Sequence, residues 1–233
     1  MAIKTKGLVP RIWRWVKRIL IFLFCLHIFY LLILKWMNPP LTLTQLSSFF
    51  HGYGLKRDYV SMNNISPYAK LSVIASEDQL FADHDGFDFK SIEKAMKHNQ
   101  KSKSLHGAST ISQQVAKNIF LWQGRSWIRK ALEVYFTFMI EELWGKKRIL
   151  EMYLNVSEMG KGVFGIEAAA KFYFNKHARS LTRNESAMIA ACLPNPKVFT
   201  VRPMSKRVAT RYPWIVVQTI HLQDDPDIIK LLQ

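Results

Sequence analysis

Four carboxylates and a histidine crowd into one short stretch, at Glu77, Asp78, Asp83, His84 and Asp85. A solvated helix end accounts for most of such a cluster. It does not account for Glu77, which stands three residues after Ile74 and four before Phe81, close to the apolar stripe of a helix rather than opposite it. A carboxylate beside apolar packing loses hydration, so its pKa rises and it becomes suited to general-base work.

A second group runs from Gly107 to Asn118, where Ala108, Ser109 and Thr110 lead into a predicted helix bearing Ser112, Gln113, Gln114, Lys117 and Asn118. Small residues before a helix N-terminus rich in hydroxyl and amide groups suit an anion or sugar hydroxyls, although an ordinary capped helix with a polar face looks the same. The third group is Arg125, Arg129 and Glu133, four apart and therefore on one helix face. As a surface ladder it would contribute about a few tenths of a kcal/mol per pair; as a cationic wall it would hold phosphate.

These groups need helices to position them, and the sequence supplies the signals. Ser66-Pro67 reads as an N-cap followed by proline at the first helical position, with Tyr68, Leu71, Ile74 and Phe81 recurring behind it. The next helix is expected near Asp88, with Phe89, Ile92 and Met96 on one face. Thr110 and Gln113 form a capping-box pattern ahead of Ile111, Val115 and Ile119. The longest pattern runs from Ser126 to Trp144, with an apolar stripe of Ile128, Leu132, Tyr135, Met139 and Leu143 opposite the Arg129 face, and stops at Gly145. Further helices are expected at about 146–154, 165–174 and 183–193, the last opening on the Thr182/Glu185 capping box. Leu150, Leu154 and the Ala168–Ala170 run read as packing. Pro213 should kink or divide a final helix from Met204 to Leu222. No alternating strand pattern is convincing, so the domain reads as all-α or nearly so.

The 233 residues fit one domain behind an N-terminal segment, and 49% hydrophobic with 13% aromatic residues is enough for a sizeable core. The formal charge is +16, with Lys4, Lys6, Arg11, Arg14, Lys17, Arg18 and Lys35 preceding any acidic residue. Charge alone leaves nucleic acid, anionic lipid and phosphorylated substrates as partners. The uncharged run Ile19–Leu34 decides among them. Its sixteen residues give ~24 Å of helix against a ~30 Å hydrocarbon core, with Trp13, Trp15 and Trp36 available at the interfaces. No small-x-small cleavage site follows, so the run reads as a retained anchor. Six positive charges before it and only Lys35 close behind place the N-terminus in the cytoplasm and the domain across the membrane, away from nucleic acid. Cys25 lies in the span and Cys192 in the domain, so no intradomain disulfide or metal-ligand spacing arises.

Taken in order, these segments resemble the motifs of the peptidoglycan glycosyltransferase family, the transglycosylase domain of penicillin-binding proteins. Residues 77–86 are similar to E-D-x-x-F-x-x-H-x-G, and 107–118 to G-G-S-T-I-T-Q-Q-x-x-K-N with Ala108 and Ser112 as small departures. Arg129–Glu133 resembles R-K-x-x-E, Lys147–Asn155 resembles K-x-x-I-L-E-x-Y-L-N, and Gly165–Ala170 with Tyr173-Phe174 resembles the fifth signature. Ser91-x-x-Lys94 matches a transpeptidase motif by chance, since no K-T-G follows, and the similarity is to the monofunctional branch.

The resemblance implies a lysozyme-like fold over about 66–225, behind a basic tail (1–18), a transmembrane anchor (19–37) and a juxtamembrane connector (38–65). It implies a bacterial inner-membrane enzyme that polymerises lipid II into β-1,4-linked strands and is blocked by moenomycin. Glu77 would take the proton from the acceptor 4-hydroxyl, and Lys117, Arg125 and Arg129 would absorb the charge of the departing pyrophosphate. Ser109, Gln114, Asn118, Asp78 and His84 would bind substrate. Glu133, the second catalytic acid, would orient the cations or bind a divalent cation such as Mg or Mn. Partners would be the growing strand, the membrane, and cell-wall synthesis and division proteins. The rivals are a lytic transglycosylase or lysozyme, which shares the fold but cleaves the polymer, and a non-enzymatic envelope scaffold.

Overall fold

The computed structural model describes residues 8–102, 107–124 and 126–233. The chain divides into two units, Met1–Met37 and Asn38–Gln233. In the first, α1 (Leu8–Leu34) contains a stretch, Ile12–Leu34, long and apolar enough to cross a membrane. Its 23 residues exceed the uncharged run because the helix continues back through Arg14, Lys17 and Arg18.

The second unit is mainly α, as its periodicities predict. In order it contains α2 (Leu43–Phe50), β1 (Lys56–Arg57), α3 (Pro67–Glu77), α4 (Phe89–Lys101), α5 (Ile111–Phe120), α6 (Trp127–Trp144) and α7 (Lys146–Val156). There follow β2 (Glu158–Gly160), β3 (Val163–Phe164), α8 (Ile166–Phe174), α9 (Arg183–Cys192), α10 (Lys206–Leu222) and α11 (Pro226–Leu232). Ser66 caps α3, and the Thr110/Gln113 and Thr182/Glu185 capping boxes form as expected.

Two helix groups build the core. In one, α3, α9 and α10 pack together, with Ala187, Ala190 and Ala191 of α9 and Leu71, Ile74 and Ala75 of α3 all buried. In the other, α5 packs on α6 and α7. The packing reading of 147–155 and 165–174 holds: Ile149, Leu150, Leu154, Ala169 and Ala170 are fully buried. Each such Ile or Leu contributes roughly 1.5–3 kcal/mol by leaving water.

The nearly all-α reading holds, and the structure refines or corrects four points. The three short strands form a sheet in the order β1-β3-β2, β1 parallel and β2 antiparallel to β3; elements of two or three residues are too short to show alternation. The stretch 38–65, read as lacking a period, contains a capped helix and is pinned to α7. Asn155 bonds both the N–H and the C=O of Val60 at 2.9 Å, and Glu151 accepts the Met62 N–H at 2.9 Å. Third, α10 is one helix through Pro213, so the division into two shorter pieces does not occur. Fourth, α6 and α4 face the other way. The period is right, but α6 buries Glu133, Thr137, Ile140 and Trp144 while Ile128 is 71% exposed, and α4 buries Ala95 while Phe89 and Met96 are exposed. Close packing explains α6: Gly86 (φ +85°) lies so near that an added Cβ would stand 2.8 Å from Thr137 Cγ2 and 2.9 Å from Glu141 Cγ. A leucine stripe has no room there.

Gly86→Ala should therefore combine left-handed strain with overpacking, at a cost of about 1–3 kcal/mol. The expected outcome is a melting temperature lower by several degrees; an unchanged transition in differential scanning calorimetry would contradict the close approach.

Candidate active site

Glu77 is the last residue of α3, and Asp78 caps it. Glu77 and the cap are thus consecutive, and the cap ties the helix to α5. Asp78 Oδ2 accepts the Ile111 N–H at 3.0 Å, and both of its oxygens face His84 Nε2, at 3.0 and 3.1 Å. Thr110 Oγ1 donates to Gly86 O at 2.7 Å, drawing the loop after α3 onto the same helix end. With the start of α5 fixed here, Gln114 and Lys117 follow one and two turns along and reach the space beside Glu77.

That space is a cleft of about 930 Å³. Glu77, Ser109, Gln114 and Lys117 line it together, and Asn118 lines an adjoining pocket with Gln114 and Lys117. Glu77 is partly open to the cleft and otherwise enclosed by protein. Its Oε2 accepts Gln114 Nε2 at 2.8 Å and its Oε1 accepts Ser76 Oγ at 3.2 Å. Burial pushes its pKa up; the bonds from Gln114 and Ser76 and the charges of Arg211 and Lys117 oppose the rise without cancelling it. The carboxylate beside an apolar stripe is found where its spacing placed it.

Lys117 is pushed the other way. Burial lowers its pKa, Glu133 and Glu77 favour its charge, and Arg129 and Lys130 disfavour it. Among the described residues no carboxylate lies within ion-pairing distance of its Nζ. Glu133, only 3% exposed, is engaged instead by Arg129 Nη1 at 2.7 Å and Lys130 Nζ at 2.5 Å. The Arg129–Glu133 pair is therefore an inward-facing cluster rather than a surface ladder.

Asp78 and His84 are placed behind the cleft rather than across it. Asp78 reaches an adjoining pocket but its oxygens are taken by Ile111 and His84, and His84 lines none of the described cavities. Arg125 lies outside the described residues. Among the described residues no three His, Cys, Asp or Glu side chains converge as metal ligands, and Glu133 holds Arg129 and Lys130.

Sequence reasoning missed Arg211. Its Nη2 donates to Ser76 O at 3.2 Å, in the last turn of α3 where a cation suits the helix dipole, and its buried Nε has no partner. Arg207 and Arg211 are four apart on α10 and both line the cleft. That spacing is visible in the sequence, but only the packing of α10 on α3 reveals what it faces. Lys130 and Tyr153 were also passed over, each hidden inside a motif read for other letters.

Comparison with known proteins matches residues 44–220 to a family described as Transglycosylase. The chain is 54% identical over 166 residues to the biosynthetic peptidoglycan transglycosylase of Mannheimia succiniciproducens, covering 71% of this chain and 68% of that protein. It is 54% identical over 186 residues to proteins of the same description from Escherichia coli and Shigella boydii, covering 78% of this chain and 77% of each. The family match thus spans most of the chain, across the same residues that build the cleft, and the chain belongs to the transglycosylase family.

Proposed function

We propose that this protein is a peptidoglycan glycosyltransferase that polymerises lipid II, and that Glu77 is its general base. The observation that carries the reading is a single cleft holding a carboxyl with a raised pKa, Glu77, and a lysine with no carboxylate partner, Lys117. Glu77 takes the proton from the 4-hydroxyl of the acceptor N-acetylglucosamine. The freed oxygen attacks the anomeric carbon of the lipid-linked donor as the bond to undecaprenyl pyrophosphate breaks, converting α to β. Pyrophosphate leaves as a stable anion, so cations can replace the protonating acid that a glycosidase needs.

Lys117 is the cation placed to meet that charge, with Arg129 and Arg125 beside it in the sequence pattern. Glu133 serves to hold Arg129 and Lys130 in place, the one of its two roles that its contacts match. Ser109, Gln114 and Asn118 line the substrate groove, while Asp78 and His84 support its wall. A neutral glycan offers no phosphate to such cations, which disfavours lytic cleavage. The helix Ile12–Leu34 anchors the protein in the inner membrane, with the N-terminus cytoplasmic and the 66–225 region periplasmic, where cell-wall synthesis and division proteins could meet it.

Three outcomes are expected with purified full-length protein and lipid II. Wild type makes lysozyme-sensitive strands in the presence of penicillin, and moenomycin blocks this; release of sugar from finished peptidoglycan without polymerisation would favour the lytic rival. Glu77→Gln abolishes strand formation. It also raises the melting temperature at neutral pH. A carboxyl whose folded pKa is raised binds more protons folded than unfolded, so its contribution to stability falls as pH rises through the folded pKa, and a neutral amide escapes that loss. The gain should vanish below the ordinary glutamate pKa, and normal polymerisation by this variant would refute the base assignment. Finally, Lys117→Ala lowers kcat by about 10²-fold or more, the scale of losing one group that stabilises developing charge.

A further inference from the structure

Tyr153 is 1% exposed on α7, among the apolar residues Ile149, Leu150 and Leu154. A buried phenol needs a partner for its hydroxyl. Here the hydroxyl donates to Gln114 Oε1 at 3.3 Å, and Gln114 Nε2 in turn donates to Glu77 Oε2 at 2.8 Å. Two hydrogen bonds therefore run from α7 through α5 to the end of α3.

We propose that Tyr153 is a positioning residue for the reaction: by donating to the Gln114 carbonyl oxygen, it orients that side-chain amide so that its NH2 faces Glu77. The inference rests on Glu77 acting as the base. The two ends of a carboxamide have the same shape and opposite polarity, so packing alone barely distinguishes its two orientations. With NH2 toward Glu77 the carboxylate is satisfied. In the opposite orientation two oxygens face each other, an arrangement that becomes favourable only once Glu77 carries the proton. The direction of the amide therefore helps decide whether the base is ready.

The phenol is suited to this role. Burial and the nearby Glu77 charge hold its pKa well above the ordinary tyrosine value, so it remains an O–H donor throughout the working range. Lys94, His98 and Arg207 line the same cleft as Glu77, and the groups that act on its pKa do not titrate in the same direction. Ser76 and Arg211 keep one state, the Cys192 thiol of α9 is pushed up to about 12, and Lys117 loses charge on the basic side. Tyr153→Phe keeps the ring and removes only the hydroxyl, leaving the amide free to turn.

The experiment measures kcat/KM for strand formation by the full-length protein against pH, in wild type, Tyr153→Phe, Gln114→Ala and the double variant. Tyr153→Phe should move the acid limb to higher pH, giving a rate several-fold lower on that limb and within about threefold of wild type on the plateau. Gln114→Ala should move the limb in the same direction, a test independent of how the tyrosine variant folds, and adding Tyr153→Phe to it should change nothing more. A tyrosine that only fills space would instead lower the rate equally at every pH. That result, an unmoved limb in either single variant, or a further shift in the double variant, would overturn the proposal. Glu77→Gln separates the two ideas: if it still polymerises, the base assignment fails; if it is inactive and the limb stays put in Tyr153→Phe, only the role of Tyr153 fails.

Discussion

The carboxylate of Asp78 holds the N–H of Ile111 at 3.0 Å, and the rest of the cleft is arranged around that joint. An ionised acceptor at a helix N-terminus makes a strong bond and is further favoured by the dipole. Its neighbour in the chain is Glu77, and the helix it caps from the side carries Gln114 and Lys117. The spacing between Glu77 and Lys117 is therefore set by one bond and two turns of helix, rather than by a flexible loop. His84 steadies the same carboxylate, and Thr110 ties the intervening loop down through Gly86.

The electrostatics depend on two glutamates in different settings. Glu77 has hydrogen bonds from neutral groups, and its cations are near without being paired to it, so burial dominates and its pKa rises. Glu133 is more deeply buried but holds Arg129 and Lys130 directly. An unpaired buried carboxylate would be costly, and so would several cations crowded around Lys117 with nothing between them. Placing Glu133 among the cations relieves both, and it leaves Lys117 without a carboxylate partner among the described residues.

Much of this was legible in the sequence, for reasons that differ by element. Capping chemistry is local, so Ser66, Thr110 and Thr182 marked their helices correctly, and the stripe of Ile111, Val115 and Ile119 faces the core as its period required. Glu77 was legible because a charge beside apolar neighbours is anomalous. The face of α6 was not, because periodicity gives an axis without a direction: Thr137 packs on Gly86 and Glu133 collects cations, so the polar face turns inward. Nor was the 38–65 segment, whose order comes from Asn155 and Glu151 more than ninety and about ninety residues away in the chain. Arg211 lay beyond local reading for the same reason.

Glu77 and the groups it faces across the cleft stand on different helix groups. Glu77 belongs to α3, which packs with α9 and α10, whereas Gln114, Lys117 and Tyr153 belong to α5 and α7. Only Arg211, among the groups that lower the Glu77 pKa from another helix, comes from its own side, held there by Ser76 O. Drawing the two groups apart would remove the Gln114 bond and weaken the field of Lys117. Both changes act in one direction, raising the pKa of the carboxyl further. The packing of the two helix groups and the pKa of Glu77 are thus linked in this architecture, because the Gln114 bond and the Lys117 charge that oppose its rise both come from across the cleft.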